Sequence, residues 1–464
     1  MEGSSGSIDR KTTLALVAMG LAVFVIANDF SAINVAIPQI EKDFDTSVTT
    51  AQWVVNAYAL TFGVLIVTGG RLADLFGRRR AFFAGSAIFA VASVAGGLAP
   101  TEAALILFRV VMGIGGALMW PAILGMTFAA LPAQKAGLAG GLILGAAGVG
   151  NAAGPLIGGV LTDLLSWRWI FFLNLPITAF ACFVTWREVH QPRPEVDDTS
   201  IDYLGVFTVS TGLVAMLLAF DQALDWGWGD PRIVGLICAS VLLLASFVFV
   251  ERRAGGKALV PRDVIGNREF ALTCLVILLM SAVFFASLLY LPQAMEKVLG
   301  MSPIEAGLGL LPLMGVFAAV SFIAGPLYEK LGPKALLSFG ALCLTAGPLM
   351  ISLLAHEETY AALVPGMVIT GLGVGVFYPT ATTVGVTSLD ESRSSLAGAI
   401  IYMFQIAGGA IGLGLTTTIL TEAARGGTFT DGLEAAFRLD AGIAFVGLLV
   451  AVIFLGHNAR SSPG

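Results

Sequence analysis

The sequence predicts an all-helical polytopic membrane protein with fourteen transmembrane helices. Three observations carry that prediction. Of the 464 residues, 57% are hydrophobic and 12% charged, against roughly 25% charged in soluble domains. Apolar runs that can cross the hydrocarbon core, which takes about 20 residues, recur along the whole chain. The cationic residues are sorted between alternate loops, as the positive-inside rule expects of a multi-pass protein.

The fourteen runs lie near residues 12–35, 51–69, 81–99, 103–125, 136–161, 168–187, 203–221, 232–250, 270–292, 303–323, 335–354, 360–382, 394–420 and 437–456. If the N-terminus is cytoplasmic and the helices alternate, the cytoplasmic segments hold 18 of the 25 Lys and Arg residues. The external segments hold six, namely Lys42, Arg168, Arg232, Lys297, Arg425 and Arg438. Arg109 alone falls deep inside an apolar run, away from its ends. The bias persists to the last loop, which favours an even helix count, both termini cytoplasmic and insertion in the cell (inner or plasma) membrane. The first run is too long and too interrupted by polar residues for a cleaved signal peptide. Residues 1–11 read as a cytoplasmic tail, 251–269 as a cytoplasmic linker and 457–464 as a second cytoplasmic tail.

Taken in chain order, the runs carry few polar residues, and each needs a reason. Asp29, in Asp29-Phe30-Ser31-Ala32-Ile33-Asn34-Val35-Ala36-Ile37-Pro38, closes the first run. An Asp there costs at least ~2.5–3.5 kcal/mol on insertion scales. A carboxylate balanced between desolvation and a nearby cation can load and release a proton; an Asp at the outer interface would merely cap the helix. Between the second and third runs, Gly69-Gly70-Arg71-Leu72-Ala73-Asp74-Leu75-Phe76-Gly77-Arg78-Arg79-Arg80 forms a tight basic loop. Its glycines permit the turn and its arginines hold it on one side of the membrane. Arg109 in the fourth run demands a partner, and Asp29 or other polar groups of the first helix can supply it. Gly141, Gly150, Gly154, Pro155, Gly158 and Gly159 mark the fifth run. Small residues four apart permit close helix approach and Pro155 kinks the helix. The run Trp167-Arg168-Trp169-Ile170-Phe171-Phe172-Leu173-Asn174-Leu175-Pro176 opens the sixth helix and reads as interfacial anchoring.

The chain also repeats itself. Gly70 to Arg79 has a weaker echo in Gly325 to Lys334, the pair Trp120-Pro121 in Tyr378-Pro379, and Leu138-Ala139-Gly140 in Leu396-Ala397-Gly398. Helices 1–6 (residues 12–187) then form one half and helices 9–14 (270–456) the other. Helices 7 and 8 (203–250) are extra.

These motifs resemble those of the major facilitator superfamily, and the count resembles its fourteen-helix drug:proton antiporter family. The Gly69–Arg80 loop is similar to motif A, and the glycine series of helix 5 matches motif C at every named position. Asp29–Pro38, Arg109 and Trp167–Pro176 resemble further signatures of that family. The resemblance implies the major facilitator fold, two six-helix halves around a midplane site. It implies proton coupling by Asp29 and Arg109, and a conformational latch of Gly70, Asp74, Gly77 and Arg78 that reaches a helix end of the opposite half. It also implies an antiporter role for the motif C glycines, bending at the seam between the halves. Glu329 and Pro333 break the pattern in the second copy, so the latch is not expected there.

Inward-facing polar and aromatic residues are candidates for the substrate cavity: Asn34, Gln52, Asn56, Tyr58, Trp120, Phe284, Tyr290, Tyr378, Tyr402 and Gln405. Aromatic faces suit flat lipophilic molecules and cations. The second half offers no deep acid, since Glu296 and Glu305 sit near span ends. The four cysteines fall within apolar runs and read as packed free thiols, and His190, His356 and His457 are too scattered for a metal or catalytic cluster. No GxxxxGK[ST] loop is present for ATP drive, and nothing supports nucleic-acid binding. The function expected is proton-coupled efflux of amphiphilic small molecules by a monomer that needs no cofactor beyond the proton gradient. The alternatives are a dedicated exporter of one endogenous metabolite (antibiotic, siderophore or lipid) or a non-coupled transporter.

Overall fold

The structure is a computed structural model that describes residues 9–189, 202–254 and 258–455. His190, His457 and most of the two expected tails lie outside those residues. Sixteen α-helices follow one another, with no strand among the described residues. The first half comprises α1 (Arg10–Phe44), α2 (Val48–Phe76), α3 (Arg78–Gly97), α4 (Glu102–Ala129), α5 (Ala136–Leu164) and α6 (Arg168–Glu188). Next come α7 (Tyr203–Trp226), α8 (Pro231–Ala254) and the short linker helix α9 (Arg262–Ile265). The second half comprises α10 (Arg268–Lys297), α11 (Pro303–Gly309), α12 (Leu311–Leu331), α13 (Pro333–Leu354), α14 (Tyr360–Thr387), α15 (Ser394–Arg425) and α16 (Phe429–Phe454). Among the described residues, fourteen helical segments are long and apolar enough to cross a membrane, α11 and α12 together making one of them.

Local chemistry sets the ends. Asp9, Ser47, Thr101 and Asn267 cap their helices by accepting the N–H three residues on, which satisfies an otherwise unpaired donor. Ser302 with Glu305 and Thr428 with Asp431 form reciprocal capping boxes. Gly77 and Gly332 turn the chain at φ 102° and 79°, from α2 into α3 and from α12 into α13. The echo between Gly70–Arg79 and Gly325–Lys334 is therefore realised as two equivalent turns. One expectation fails here. Asp29 does not close the first helix, because α1 runs through Pro38 to Phe44 and stops only at Asp45, whose φ of 50° is left-handed. A proline removes one backbone donor but does not end a helix held by packing on both sides, and Ala36 and Ile40 flank this one fully buried.

Within the first half α1 packs on α5 and α6, and α2 and α3 pack on α4. In the second half α10 packs on α15 and α16, and α13 on α14 and α16. The halves meet where α2 crosses α15 and α5 crosses α12 and α14. Much of this seam is backbone against backbone. A Cβ on Gly137 would stand 2.8 Å from the Gly325 carbonyl of α12, and one on Gly140 2.7 Å from that of Pro379 on α14. These approaches lie at the end of the bundle that carries Gly77 and Gly332.

Helix α7 touches both α2 and α15, and α8 packs on α7. Trp228, in the loop between them, donates Nε1–H to Thr418 Oγ1 of α15 at 2.7 Å. Helix α8 faces outward, with Val241 and Leu242 more than 60% exposed. Cys238 on it is exposed too, unlike buried Cys274 and Cys343, so the expectation of four packed thiols holds for the others but not for this one.

Candidate functional site

The deepest polar cluster is built by five helices of the first half. Asp29 of α1 and Arg109 of α4 are both fully buried and paired through Arg109 Nη1 and Asp29 Oδ2. Arg109 Nε donates to the Val54 carbonyl of α2 at 2.7 Å, and its guanidinium lies over the Tyr58 ring at 4.3 Å. Asn174 of α6 donates Nδ2–H to Asp29 Oδ1 at 2.9 Å and to Ser93 Oγ of α3 at 3.1 Å. Ser93 Oγ–H in turn donates a hydrogen bond to the Phe171 carbonyl at 2.8 Å. Both Asp29 oxygens are thus held, the arrangement that a buried carboxylate needs. Arg109 Nη2, Tyr58 OH, Asn28 Oδ1 and Asn174 Oδ1 have no hydrogen-bond partner, so the cluster keeps unused polar capacity.

Asn174 and Ser93 are functional candidates that sequence reasoning missed. The Asn174 signal was present, an amide inside an apolar run, but the neighbouring tryptophans drew the run into an anchoring role. That anchoring is also visible: Trp167 Nε1 and Arg168 Nη1 both donate to Asp43 Oδ2, at 2.8 and 3.0 Å.

At the Gly77 end, Asp74 joins the halves. Its Oδ2 accepts from the Leu396 N–H at 2.9 Å and its Oδ1 from the Ser395 N–H at 3.4 Å, in the first turn of α15. A carboxylate there meets the positive end of the helix dipole. Arg78 Nε binds Asp74 at 3.2 Å, Nη1 donates to the Gly125 carbonyl at 3.1 Å, and Nη2 donates to the Glu391 carbonyl across the seam. Gly70 faces α15 so closely that a Cβ would stand 2.6 Å from Ala399 Cβ.

The helix 5 glycines divide by position. A Cβ on Gly141 would stand 2.7 Å from the Ser321 carbonyl of α12, in the opposite half. Gly150, Gly154 and Gly158 instead receive α1, with Cβ positions 2.7 Å from the Phe24 carbonyl, 2.9 Å from Ala32 N and 3.0 Å from Ala32 Cα. Around Pro155 the series therefore packs inside its own half, against the turn of α1 that carries Asp29, and only Gly141 reaches the seam. The nearest atom to a Cβ on Gly159 is 3.8 Å away, so that glycine makes no close approach.

The family model of the Major Facilitator Superfamily matches residues 19–413 and 274–464. The chain belongs to the major facilitator superfamily. It is a transporter of that superfamily, and not an enzyme. The chain is 33% identical over 452 residues to puromycin resistance protein pur8 of Streptomyces alboniger, covering 96% of this chain and 89% of that one. It is 31% identical over 416 residues to the tetracenomycin C resistance and export protein of Streptomyces glaucescens, covering 90% and 77%. It is also 30% identical over 437 residues to the multidrug transporter protein MdtP of Bacillus subtilis, covering 93% and 80%. In fold it is similar to the human organic anion transporter MFSD10, with a TM-score of 0.69 at 12% identity, covering 95% of this chain and 99% of that one.

Within this superfamily member the expected cavity residues fall into separate groups. Trp120 of α4 meets Tyr402 of α15 across the seam, ring centroids 4.5 Å apart, and Phe62 lies 5.5 Å from Tyr402. Tyr58 stacks on Phe62 at 5.9 Å, which links this aromatic group to Arg109. Phe284 packs on Tyr378 at 5.9 Å inside the second half, and Tyr378 bonds Ser281 Oγ at 3.0 Å. Tyr290 is bonded to Thr417. Gln405 is buried, Asn56 half-buried, and Asn34 and Gln52 are exposed; Asn34 donates to the Phe30 carbonyl of its own helix at 2.9 Å. Of the ten, Tyr58, Trp120 and Tyr402 gather around Phe62, and Phe284 and Tyr378 pair separately within the second half.

The transporter's second half also overturns one expectation. Asp440 of α16 is a fully buried acid. It escaped the sequence reading because it stands four residues into the last apolar run, beside Arg438, and reads as part of a polar helix start. Helix α16 begins eight residues before that run, which carries Asp440 into the bundle. Glu305, by contrast, is spent on its capping box with Ser302.

Proposed function

We propose that this transporter exports amphiphilic, drug-like small molecules in exchange for protons, by alternating access in the cell membrane. The observation that carries the reading is the fully buried Asp29–Arg109 pair, braced by Asn174 and opening through Tyr58 toward Phe62, Trp120 and Tyr402. Breaking a buried pair by removing one charge costs about 3–5 kcal/mol. Protonation of Asp29 therefore releases Arg109 and favours a state in which the cluster rearranges. Coupling proton loading to the aromatic junction gives a route from proton to substrate. Aromatic faces suit flat lipophilic or cationic molecules. With the arginine-rich loops cytoplasmic and both termini on that side, the Asp74–Leu396 contact holds a state closed to the cytoplasm. One proton crossing inward supplies about 2.3 kcal/mol per 100 mV of membrane potential.

The test is substrate-triggered proton release from the purified protein with a panel of lipophilic cations and neutral drugs, wild type beside Asp29→Asn. Release in the wild type that vanishes in the variant supports the reading; release that survives in Asp29→Asn moves the coupling proton elsewhere. A second reading, export of one dedicated metabolite, draws support from the relatives whose names carry a single antibiotic, puromycin or tetracenomycin C. Release with one compound only in a broad panel would favour it.

A further inference from the structure

Asp440 is the buried acid that the reading above leaves without a task. It lies eleven residues into α16, about 16 Å from the helix start. Its Oδ1 accepts a hydrogen bond from Thr416 Oγ1 of α15 at 2.7 Å. Its Oδ2, fully buried, has no hydrogen-bond partner. On α15 the adjacent Thr417 is bonded to the Tyr290 hydroxyl of α10, and Tyr290 is within electrostatic reach of Asp440.

Among the described residues, none supplies Asp440 with a counter-charge. Helix α10 brings Tyr290, while its Arg268, Glu269, Glu296 and Lys297 stand at its two ends. Helix α15 brings Thr416 and Thr417, with Glu422 and Arg425 at its far end, paired with each other. Cys343 is the one titratable residue in the body of α13, and His356 and Glu357, beyond its end, pair together in the open. On α16 itself Arg438 is committed to Glu434 at 2.8 Å. Asp29 is the contrast, with a guanidinium on one oxygen and an amide on the other.

An ionised carboxylate with an unpaired oxygen and no cation is costly in a low-dielectric interior, and such a group neutralises instead. The neutral acid has a hydroxyl to donate as well as an oxygen to accept with. We propose that Asp440 is a second proton-carrying carboxylate of this transporter, loaded in the state seen here and coupled to conformation through α15. The coupling follows from what α15 touches along its length. Its first turn donates to Asp74, Tyr402 packs on Trp120, and Thr416 holds Asp440. Loss of the Asp440 proton would leave a bare charge on α16 against Thr416 of α15, and the two helices must shift to rehydrate it. The transport role rests on the proton-exchange reading above; the protonation itself does not.

Infrared difference spectroscopy on the full-length protein in lipid at neutral pH tests the protonation. The carbonyl stretch of a buried protonated carboxyl is expected in the wild type and in Asp29→Asn, shifted in Thr416→Val and lost in Asp440→Asn. In proteoliposomes, Asp440→Asn should halve the protons exchanged per substrate. A carboxyl band that persists in Asp440→Asn overturns the proposal, and a lost band with an unchanged proton ratio overturns its coupling role. If Asp440→Asn does not elute as a monodisperse protein, the band position in Thr416→Val decides, and an unshifted band refutes the assignment. If transport is independent of the proton gradient, the proton-exchange reading fails while the infrared assignment still stands or falls alone.

Discussion

The indole of Trp120 and the phenol of Tyr402 lie 4.5 Å apart, one contributed by each half of the molecule. Together with Phe62–Tyr402, it is an aromatic contact that any separation of the halves must break or slide. Substrate that binds here gains the ring faces the two residues now give each other. Aromatic pairs are worth about 0.5–1.5 kcal/mol beyond burial. Tyr402→Ala is therefore expected to raise the apparent KM for an aromatic substrate by roughly two- to thirteenfold, and Tyr402→Phe to leave it near wild type. Counterflow in proteoliposomes measures both; equal losses in the two variants would shift the weight to the hydroxyl.

If Asp74 acts as the proposed latch, its contact with the first turn of α15 biases the balance between the two access states. A carboxylate at a helix N-terminus contributes about 0.3–1 kcal/mol, up to ~2 when partly buried. Asp74→Asn is expected to lower the closed-to-open ratio at the Gly77 end by a factor of roughly 2 to 30. Cysteine-accessibility labelling of residues on α2 and α15 in membranes reads this directly, and an unchanged labelling ratio would refute the latch.

The helix 5 series gives a paired prediction. Gly158→Ala forces a methyl group against the α1 backbone at 3.0 Å from Ala32 Cα, and overpacking of this kind costs about 1–3 kcal/mol. Gly159→Ala meets nothing nearer than 3.8 Å and should melt with the wild type. Thermal unfolding in detergent separates them. Equal melting temperatures would contradict the packing described.

Asn174→Leu leaves Asp29 Oδ1 without its donor. An orphaned buried acceptor costs about 1–3 kcal/mol, so the variant should melt earlier and lose substrate-triggered proton release. Asn174→Asp, which sets a second acid beside Asp29, should lose the coupling more completely. Wild-type release from either variant would remove Asn174 from the cluster's function.

Asp390 serves as the acid that should not matter. Hydrogen bonds from Ser392 Oγ and N–H, at 2.6 and 2.9 Å, with Arg393 nearby, hold its carboxyl below the ordinary 3.8. A lowered value means that its contribution to stability is in place above 3.8 and fades only as pH falls through the lowered value. Asp390→Asn should leave the pH–transport profile above about pH 5 unchanged. A shifted profile would show that the turn before α15 takes part in proton coupling.

The membrane-spanning architecture was legible because hydropathy and loop charge are local properties of the chain. The two-fold plan was legible because Gly77 and Gly332 must both turn at positive φ, so the echo survived as glycine. The Asp29–Arg109 pair could be anticipated because each residue is conspicuous in an apolar run. Asn174 and Ser93 were not, because an amide and a hydroxyl pass quietly in such runs and their meeting at Asp29 depends on where α3 and α6 cross. Asp440 was lost to a boundary error of eight residues, which moved a buried acid to an apparent helix end. Similarly, α1 outlasted Pro38 because packing, which is non-local, overrode a local breaker.

The placement of α7 makes the molecule lopsided. Leu217 comes within 3.9 Å of the space beside Gly63 on α2, Phe220 presses on Gly414 of α15, and the following loop ties Trp228 to Thr418. On this flank the two halves are strapped together by a helix that belongs to neither, whereas the α5–α12 flank has no such cover. In the alternating access proposed above, any rocking of the halves would have to drag or flex this strap on one flank alone, like a clasp with a single hinge.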